Sequence, residues 1–344
     1  MRKSVVVVAL CLVWTAMASL PPTPQCTRER GLTKAPFTQS PLSSSRRTGL
    51  AFVNVWGADG IPDMVACSST GSVFVAQGNS DGTFASVTFG TLGGASNANL
   101  ILAVDVTGDG WDDIVSSGSS SIHVQRNQNG NGLGGFSSPD TVQVVGTGGA
   151  TALASADVDN DSDLDIVFAT SAIYYVLNAN ALGTSWSAPV LVTTPLNEVV
   201  NVFAEDYNQD GFVDVVYLEG GFSGTSFGFI PGTAPGVFGV GSAAFPPSAG
   251  YKSVALHMAD LDGDSRKDAL IVYGSLFGAP MGLFGISWVR NTGPGMTGPL
   301  ISLKSEVQDS GGLDMTNLNK NSHQDIVITM EATQGCEFKC LRGK

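Results

Sequence analysis

Three histidines and five cysteines in 344 residues leave little material for zinc, haem or thiol chemistry. Bases are scarce as well: 17 Lys and Arg stand against 30 Asp and Glu, giving a formal charge of −13. That balance argues against nucleic acid or an anionic membrane as a partner and for cation binding or an acidic surface. Only 14% of residues are charged against 43% hydrophobic, so the chain is too apolar to be disordered. Beyond the N-terminal segment no stretch approaches the roughly 20 apolar residues of a spanning helix, so no membrane span is expected. No segment carries a sustained helical period with caps either. What remains is glycine, 43 of them, short apolar runs, and aspartate at regular intervals.

The first residues read as a targeting segment. Arg2 and Lys3 precede an apolar run from Val5 to Trp14, and Ala16-Met17-Ala18 supplies the small-x-small pattern of signal peptidase, so residues 1–18 are expected to be removed and the protein secreted. Cys11 leaves with them. Cys26, Cys67, Cys336 and Cys340 then enter an oxidising compartment, where Cys26 is expected to pair with Cys336 or Cys340 and Cys67 to stay a thiol. Residues 19–35 read as a linker.

One pattern recurs six times: a short apolar strand, an acidic loop, then Asp followed by apolar residues. The copies end at Asp63-Met64-Val65, Asp113-Ile114-Val115, Asp165-Ile166-Val167, Asp214-Val215-Val216, Asp268-Ala269-Leu270 and Asp325-Ile326-Val327, successively 50, 52, 49, 54 and 57 residues apart. That period suits a four-stranded propeller blade. In the second copy the spacing predicts strands at Leu100–Val104, Asp113–Ser116, Ile122–Arg126 and Phe136–Val145. The fold expected is all-β, a β-propeller of six blades of four antiparallel strands, with seven blades or an incomplete ring as alternatives.

The loop between strands one and two carries the chemistry. The third copy reads Asp157-x-Asp159-x-Asp161-Ser162-x-x-Asp165 and the fifth Asp260-x-Asp262-x-Asp264-Ser265-x-x-Asp268. The fourth is Asp206-x-Asn208-x-Asp210-Gly211-x-x-Asp214 and the second Asp105-x-Thr107-x-Asp109-Gly110-x-x-Asp113. Side-chain oxygens at positions one, three and five of a tight loop converge, and a small residue at six permits the turn. The carbonyl of position seven and the carboxylate of nine would complete an oxygen cage for a hard cation, calcium rather than magnesium, which keeps its waters. Turn propensity alone explains Asp and Gly in loops, but not an Asp at position nine in all six copies.

Four calcium sites are therefore expected, in copies two to five, and a weaker fifth in copy six, where Asn317, Asn319, Asn321 and Asp325 offer one carboxylate. Copy one has Asp59, Gly60 and Asp63 at five, six and nine, but Val55 and Gly57 fall at one and three. Asn54 would serve only in a loop one residue longer, so no tight site is expected there. Seventeen of the 30 acids are these loop aspartates, which makes much of the acidity metal ligand and not steering surface.

The loops, the period and the Asp-Ile-Val strand starts resemble the FG-GAP or VCBS repeats of the integrin alpha-subunit propeller and of many secreted proteins, over about residues 48 to 330. The resemblance implies a propeller with structural calcium in the loops joining strands one and two. It also implies a choice among adhesion, lectin-like sugar binding and, in some branches, polysaccharide lyase or dehydratase activity. Phe277-Gly278-Ala279-Pro280 echoes the family name, but the full Phe-Gly-Gly-Ala-Pro string is absent.

The function expected is a non-enzymatic extracellular binding or adhesion module for a protein or glycan ligand. The alternative is a carbohydrate-active enzyme resembling a polysaccharide lyase, with a site in a central channel or blade-top groove. No acid-base pair or nucleophile constellation stands out. His257 is a candidate base, and Tyr174, Tyr175, Trp288 and Arg290 are candidate ligand contacts; packing is the commoner role for such strand residues. The sixth copy stops before a fourth strand, and Phe37-Thr38-Gln39-Ser40-Pro41 resembles the fourth strands at Phe136 and Trp186. Residues 36–44 are therefore expected to close the ring as the outer strand of the last blade, making 36–344 one domain.

Overall fold

The computed structural model describes residues 47–53, 61, 63–68, 72–80, 88–91, 100–118, 120–128, 136–145, 149–221, 224–243, 251–275, 283–293, 300–308, 310–316, 325–332 and 335–341. Among them there is no helix, and every strand pairing is antiparallel. The first sheet runs β1 (Arg47–Val53), β2 (Asp63–Ser68), β3 (Ser72–Ala76) and β4 (Thr88–Thr91). The second runs β5 (Leu100–Val104), β6 (Asp113–Ser117), β7 (Ser121–Gln125) and β8 (Asp140–Gln143). The third is β9 (Ala152–Ala156), β10 (Asp165–Ala169), β11 (Ile173–Val176) and β12 (Val190–Thr193). In the fourth, β13 (Val199–Glu205), β14 (Asp214–Gly221) and β15 (Gly224–Ile230) are followed by a separate hairpin, β16 (Gly232–Ala234) and β17 (Val237–Phe238). Only then does β18 (Ser242–Ala243) return to pair with β15. The fifth is β19 (Tyr251–Ala259), β20 (Asp268–Ser275), β21 (Leu283–Val289) and β22 (Leu300–Gln308). The sixth has three strands, β23 (Ser310–Thr316), β24 (Asp325–Ala332) and β25 (Gly335–Leu341).

Each sheet is a meander, and its first strand lies beside the first strand of the next, in the order β1, β5, β9, β13, β19, β23. Ring closure by residues 36–44, the signal segment and Cys26 all fall outside the described residues.

Side-chain alternation glues the sheets together. On β10, Val167 and Ala169 pack towards the fourth sheet with Val202, Val215 and Tyr217, whereas Ile166 and Phe168 pack towards the second with Val115, Ile122 and Val124. On β14, Val215 and Tyr217 face the third sheet while Val216 and Leu218 join Leu256, Ala269 and Ile271 of the fifth. A second strand is thus covered on both faces. This is why it reads as a continuous apolar run and not as an alternation, each such Val or Ile contributing about 1.5–3 kcal/mol of burial. Burial fades outward: β10 is buried throughout, whereas β12 exposes Val190 and Leu191.

The register places the loops. The residue before position one pairs with the Asp at position nine: Val104 with Asp113, Ala156 with Asp165, Glu205 with Asp214, Ala259 with Asp268 and Thr316 with Asp325. In the first sheet Val53 pairs with Asp63, so the connection spans 54–62 and is one residue longer than 105–112. That is the condition under which Asn54 takes the position-one place. The loop itself, like that of copy six with Asn317, Asn319 and Asn321, lies outside the described residues.

Candidate metal centre

The four described loops wind alike around their first aspartate. Oδ1 of position one accepts the N–H of position five and Oδ2 that of position six. Asp105 takes Asp109 N at 3.1 Å and Gly110 N at 2.7 Å, and Asp157 takes Asp161 N at 3.0 Å and Ser162 N at 2.9 Å. Asp206 does the same with Asp210 and Gly211, and Asp260 with Asp264 and Ser265. Position five accepts the N–H of position seven in each loop, as Asp161 does from Asp163 at 3.0 Å. Positions four and six are left-handed: Gly108 and Gly110, Asn160 and Ser162, Gln209 and Gly211, Gly263 and Ser265 all have positive φ. The small residue at six was legible in the sequence. The left-handed residue at four was not, because Gly, Asn and Gln fill it interchangeably.

Position nine works differently. Asp113, Asp165, Asp214 and Asp268 are buried, and each accepts the N–H of position two at Oδ2 and, at Oδ1, the N–H of the second residue after the third strand. Those last donors are Asn127 at 2.7 Å, Asn178 at 2.8 Å, Gly232 at 2.8 Å and Asn291 at 2.8 Å; in the first sheet Gly78 donates to Asp63 at 2.8 Å. One carboxylate therefore clamps loop, second strand and third strand. Burial pushes Asp113 up to about 7 and Asp165, Asp214 and Asp268 to about 6; the backbone donors pull the other way and lose.

Positions one, three and nine converge. One oxygen each from Asp157, Asp159 and Asp165 lie within 4.8 Å of one another, as do oxygens of Asp260, Asp262 and Asp268. In loop three Oδ1 of Asp159 is buried without a hydrogen-bond partner, and burial, then Asp161, raises its affinity for a proton. An orphaned oxygen among clustered carboxylates has the chemistry of a site for a hard cation, so these residues fit calcium. Position five stands outside the triad in both loops. In loop four Asn208 donates to Asp210 Oδ2 at 2.9 Å, and in loop two Thr107 donates to Asp105 Oδ1 at 3.2 Å, so neutral position-three residues spend their polar groups inside the loop. Loop five is distinguished by Arg290, whose Nε is ion-paired with Asp262 and whose Nη2 lies 3.4 Å from Asp264.

The candidate ligand contacts are structural in their surroundings. Tyr174 stacks on Phe168 with ring centroids 5.6 Å apart, and buried Tyr175 donates its hydroxyl to Gly236 O at 2.8 Å while packing on Phe238. Trp288 Nε1 is buried without a partner, and His257, half-buried, pairs in register with Leu270. The sequence reading missed the residues that join one loop to the next. Asn178 Nδ2 donates to the position-two carbonyl of the preceding loop, Val106 O, at 2.8 Å, and Asn291 Nδ2 donates to Tyr207 O at 2.7 Å. Between them, where Gly232 replaces asparagine, Gly236 N of the β16–β17 turn donates to Val158 O at 2.8 Å. Along the rim Asn160 Nδ2 reaches Gly211 O at 3.4 Å and Gln209 Nε2 reaches Ser265 O at 3.3 Å.

Comparison with known proteins agrees with the loop pattern. Residues 57–116 and 105–168 each match the FG-GAP-like repeat. No curated protein matches the sequence. Among solved structures, the crystal structure of BBS1N in complex with ARL6DN, soaked with lead, is similar over 87% of this chain and 93% of that one, at 10% identity and a TM-score of 0.46.

Proposed function

We propose that this chain, which carries FG-GAP-like repeats, is a secreted, calcium-binding β-propeller module that binds an extracellular protein or glycan and has no chemistry of its own. The observation that carries the reading is the convergence of Asp157, Asp159 and Asp165, the second of which holds a buried Oδ1 without a donor. Six consecutive meanders with adjoining first strands support six blades; residues 36–44 as the closing strand and 1–18 as an export signal complete the proposal on their sequence pattern. Among the described residues no helix is long and apolar enough to cross a membrane. Calcium in loops two to five, and more weakly in six, would replace repulsion among the acids by coordination and fix the turn between the first two strands of each blade. It would offset eight of the thirteen formal negative charges if four ions bind.

Binding restricted to the native state stabilises it by about 2.7 kcal/mol per site at a hundredfold excess over Kd. Thermal unfolding in millimolar calcium should therefore lie well above that in EGTA, and Asp159→Ala should bind one ion fewer by native mass spectrometry. Coincident melting curves would refute the structural role of the ion. A glycan array run beside an assay for unsaturated uronate products separates the two functions, and turnover would replace the module by the enzyme.

A further inference from the structure

Loops three and five carry the same four carboxylates, yet the structure fills them differently. In loop five a guanidinium already occupies part of the space that position-three and position-five acids would give to a cation. Arg290 follows β21 directly; its Nε is ion-paired with Asp262, and its Nη2 stands 3.4 Å from Asp264, which Arg266 Nη1 also approaches at 3.4 Å. Asp262 is one of the three converging acids of that loop. In the third sheet the residue at the same place, ahead of the Asn that clamps position nine, is Leu177, which brings no charge. In the second sheet it is Arg126, but that side chain turns outward to Asp140 at 3.0 Å. Among the described residues no ion pair reaches Asp157, Asp159, Asp161 or Asp165.

We propose that Arg290 is a built-in competitor for the cation of loop five, so that this loop is a low-affinity, exchangeable site while loop three is a high-affinity one. The inference rests on the calcium reading above. A guanidinium stays charged at any physiological pH, so it does not vacate the site by losing its proton. It must be displaced. Its side chain is 45% exposed, against 18% for Asp262, so the arm can swing into solvent without unpacking the sheet. Entry of a divalent ion then sets Arg290 free on the loop rim, and withdrawal of the ion lets it return to neutralise the acids.

Titration calorimetry of the metal-stripped full chain with calcium chloride tests this. Arg290→Gln should tighten one class of site about tenfold, within the usual range of coupling between two occupants, and leave the remaining sites as in the wild type. The gain should vanish when Asp262→Ala is added, because that change removes both a converging acid of the site and the close ion pair of the guanidinium, leaving only the longer contact to Asp264. Arg290→Lys, which keeps the charge on a different head group, should fall between wild type and Arg290→Gln. An unchanged isotherm for Arg290→Gln, or a gain that survives Asp262→Ala, overturns the proposal while leaving calcium binding intact. A wild-type chain that takes up no calcium at all overturns both.

Discussion

Asp113 and Asp105 are eight residues apart in one loop and have opposite electrostatic situations. The first is buried and accepts the N–H groups of Val106 and Asn127; the second caps an exposed turn. Burial holds Asp113 at about 7 and Asp165, Asp214 and Asp268 at about 6, above the 3.8 of a free carboxyl. In the metal-free protein the folded state therefore binds protons that the unfolded chain has already released, and stability falls as pH rises from about 4 towards 7. Calcium bound as proposed would reverse the sign, because protons would then compete with the ion for the same oxygens. The melting temperature of metal-stripped protein should rise between pH 7 and pH 5, whereas in excess calcium it should drop over the same interval. Trends of equal sign in both would contradict the clamp as the seat of the effect. The turn makes a separate demand. Gly211 sits at φ 93°, and a Cβ there would touch nothing within 4 Å, so Gly211→Ala tests backbone conformation alone. It should cost about 1–2 kcal/mol by chemical denaturation, and more when calcium is present, since the distorted loop also loses the ion.

At the level of elements, the two kinds of loop-to-sheet bond differ in how readable they are. Asp at position nine keeps a fixed distance from position one, so repetition exposes it. The residue it clamps lies 14 positions on at Asn127, 13 at Asn178, 18 at Gly232 and 23 at Asn291, because strands two and three and the turn between them all vary in length. No fixed spacing reveals it. The asparagine side chains were harder still to foresee, since Asn178 and Val106 are 72 residues apart and meet only when two sheets pack. Strand limits show the same division. The second strand of copy two begins where its Asp predicts. The expected fourth strand at Phe136–Val145 is only Asp140–Gln143, with Phe136 making an isolated bridge to Asn127. The β16–β17 hairpin was not anticipated, and it stands in for an asparagine by offering Gly236 N to Val158 O. Asn178→Ala strips a buried carbonyl of its donor and should cost about 1–3 kcal/mol, read as a lower denaturation midpoint with an unchanged slope. A loss no larger than that of a surface Asn→Ala control would mean that this contact does not couple the sheets.

At the scale of the molecule, first strands of sheets consecutive in sequence adjoin, and among the described residues the three interfaces between sheets two and five repeat one plan: apolar faces of second strands beneath, a hydrogen bond to the loop above. The loop bonds have a direction. Val106 O is capped by the third sheet, Val158 O by the fourth and Tyr207 O by the fifth, so each of these three loops receives its last donor from residues made later. Synthesis from the N-terminus thus leaves each newly formed loop unfinished until one further meander has left the ribosome. The chain matures as a ratchet, one sheet behind its own growing end. Nascent chains stalled so that residue 170 is the last to have emerged should leave the second loop open to protease, and those with residue 195 emerged should protect it. Protection at the shorter length would show that the loop sets without its neighbour. On that timing, cations held by loops two to four, if they bind as proposed, would load one after another as the chain emerges, each sealed in by the sheet that follows.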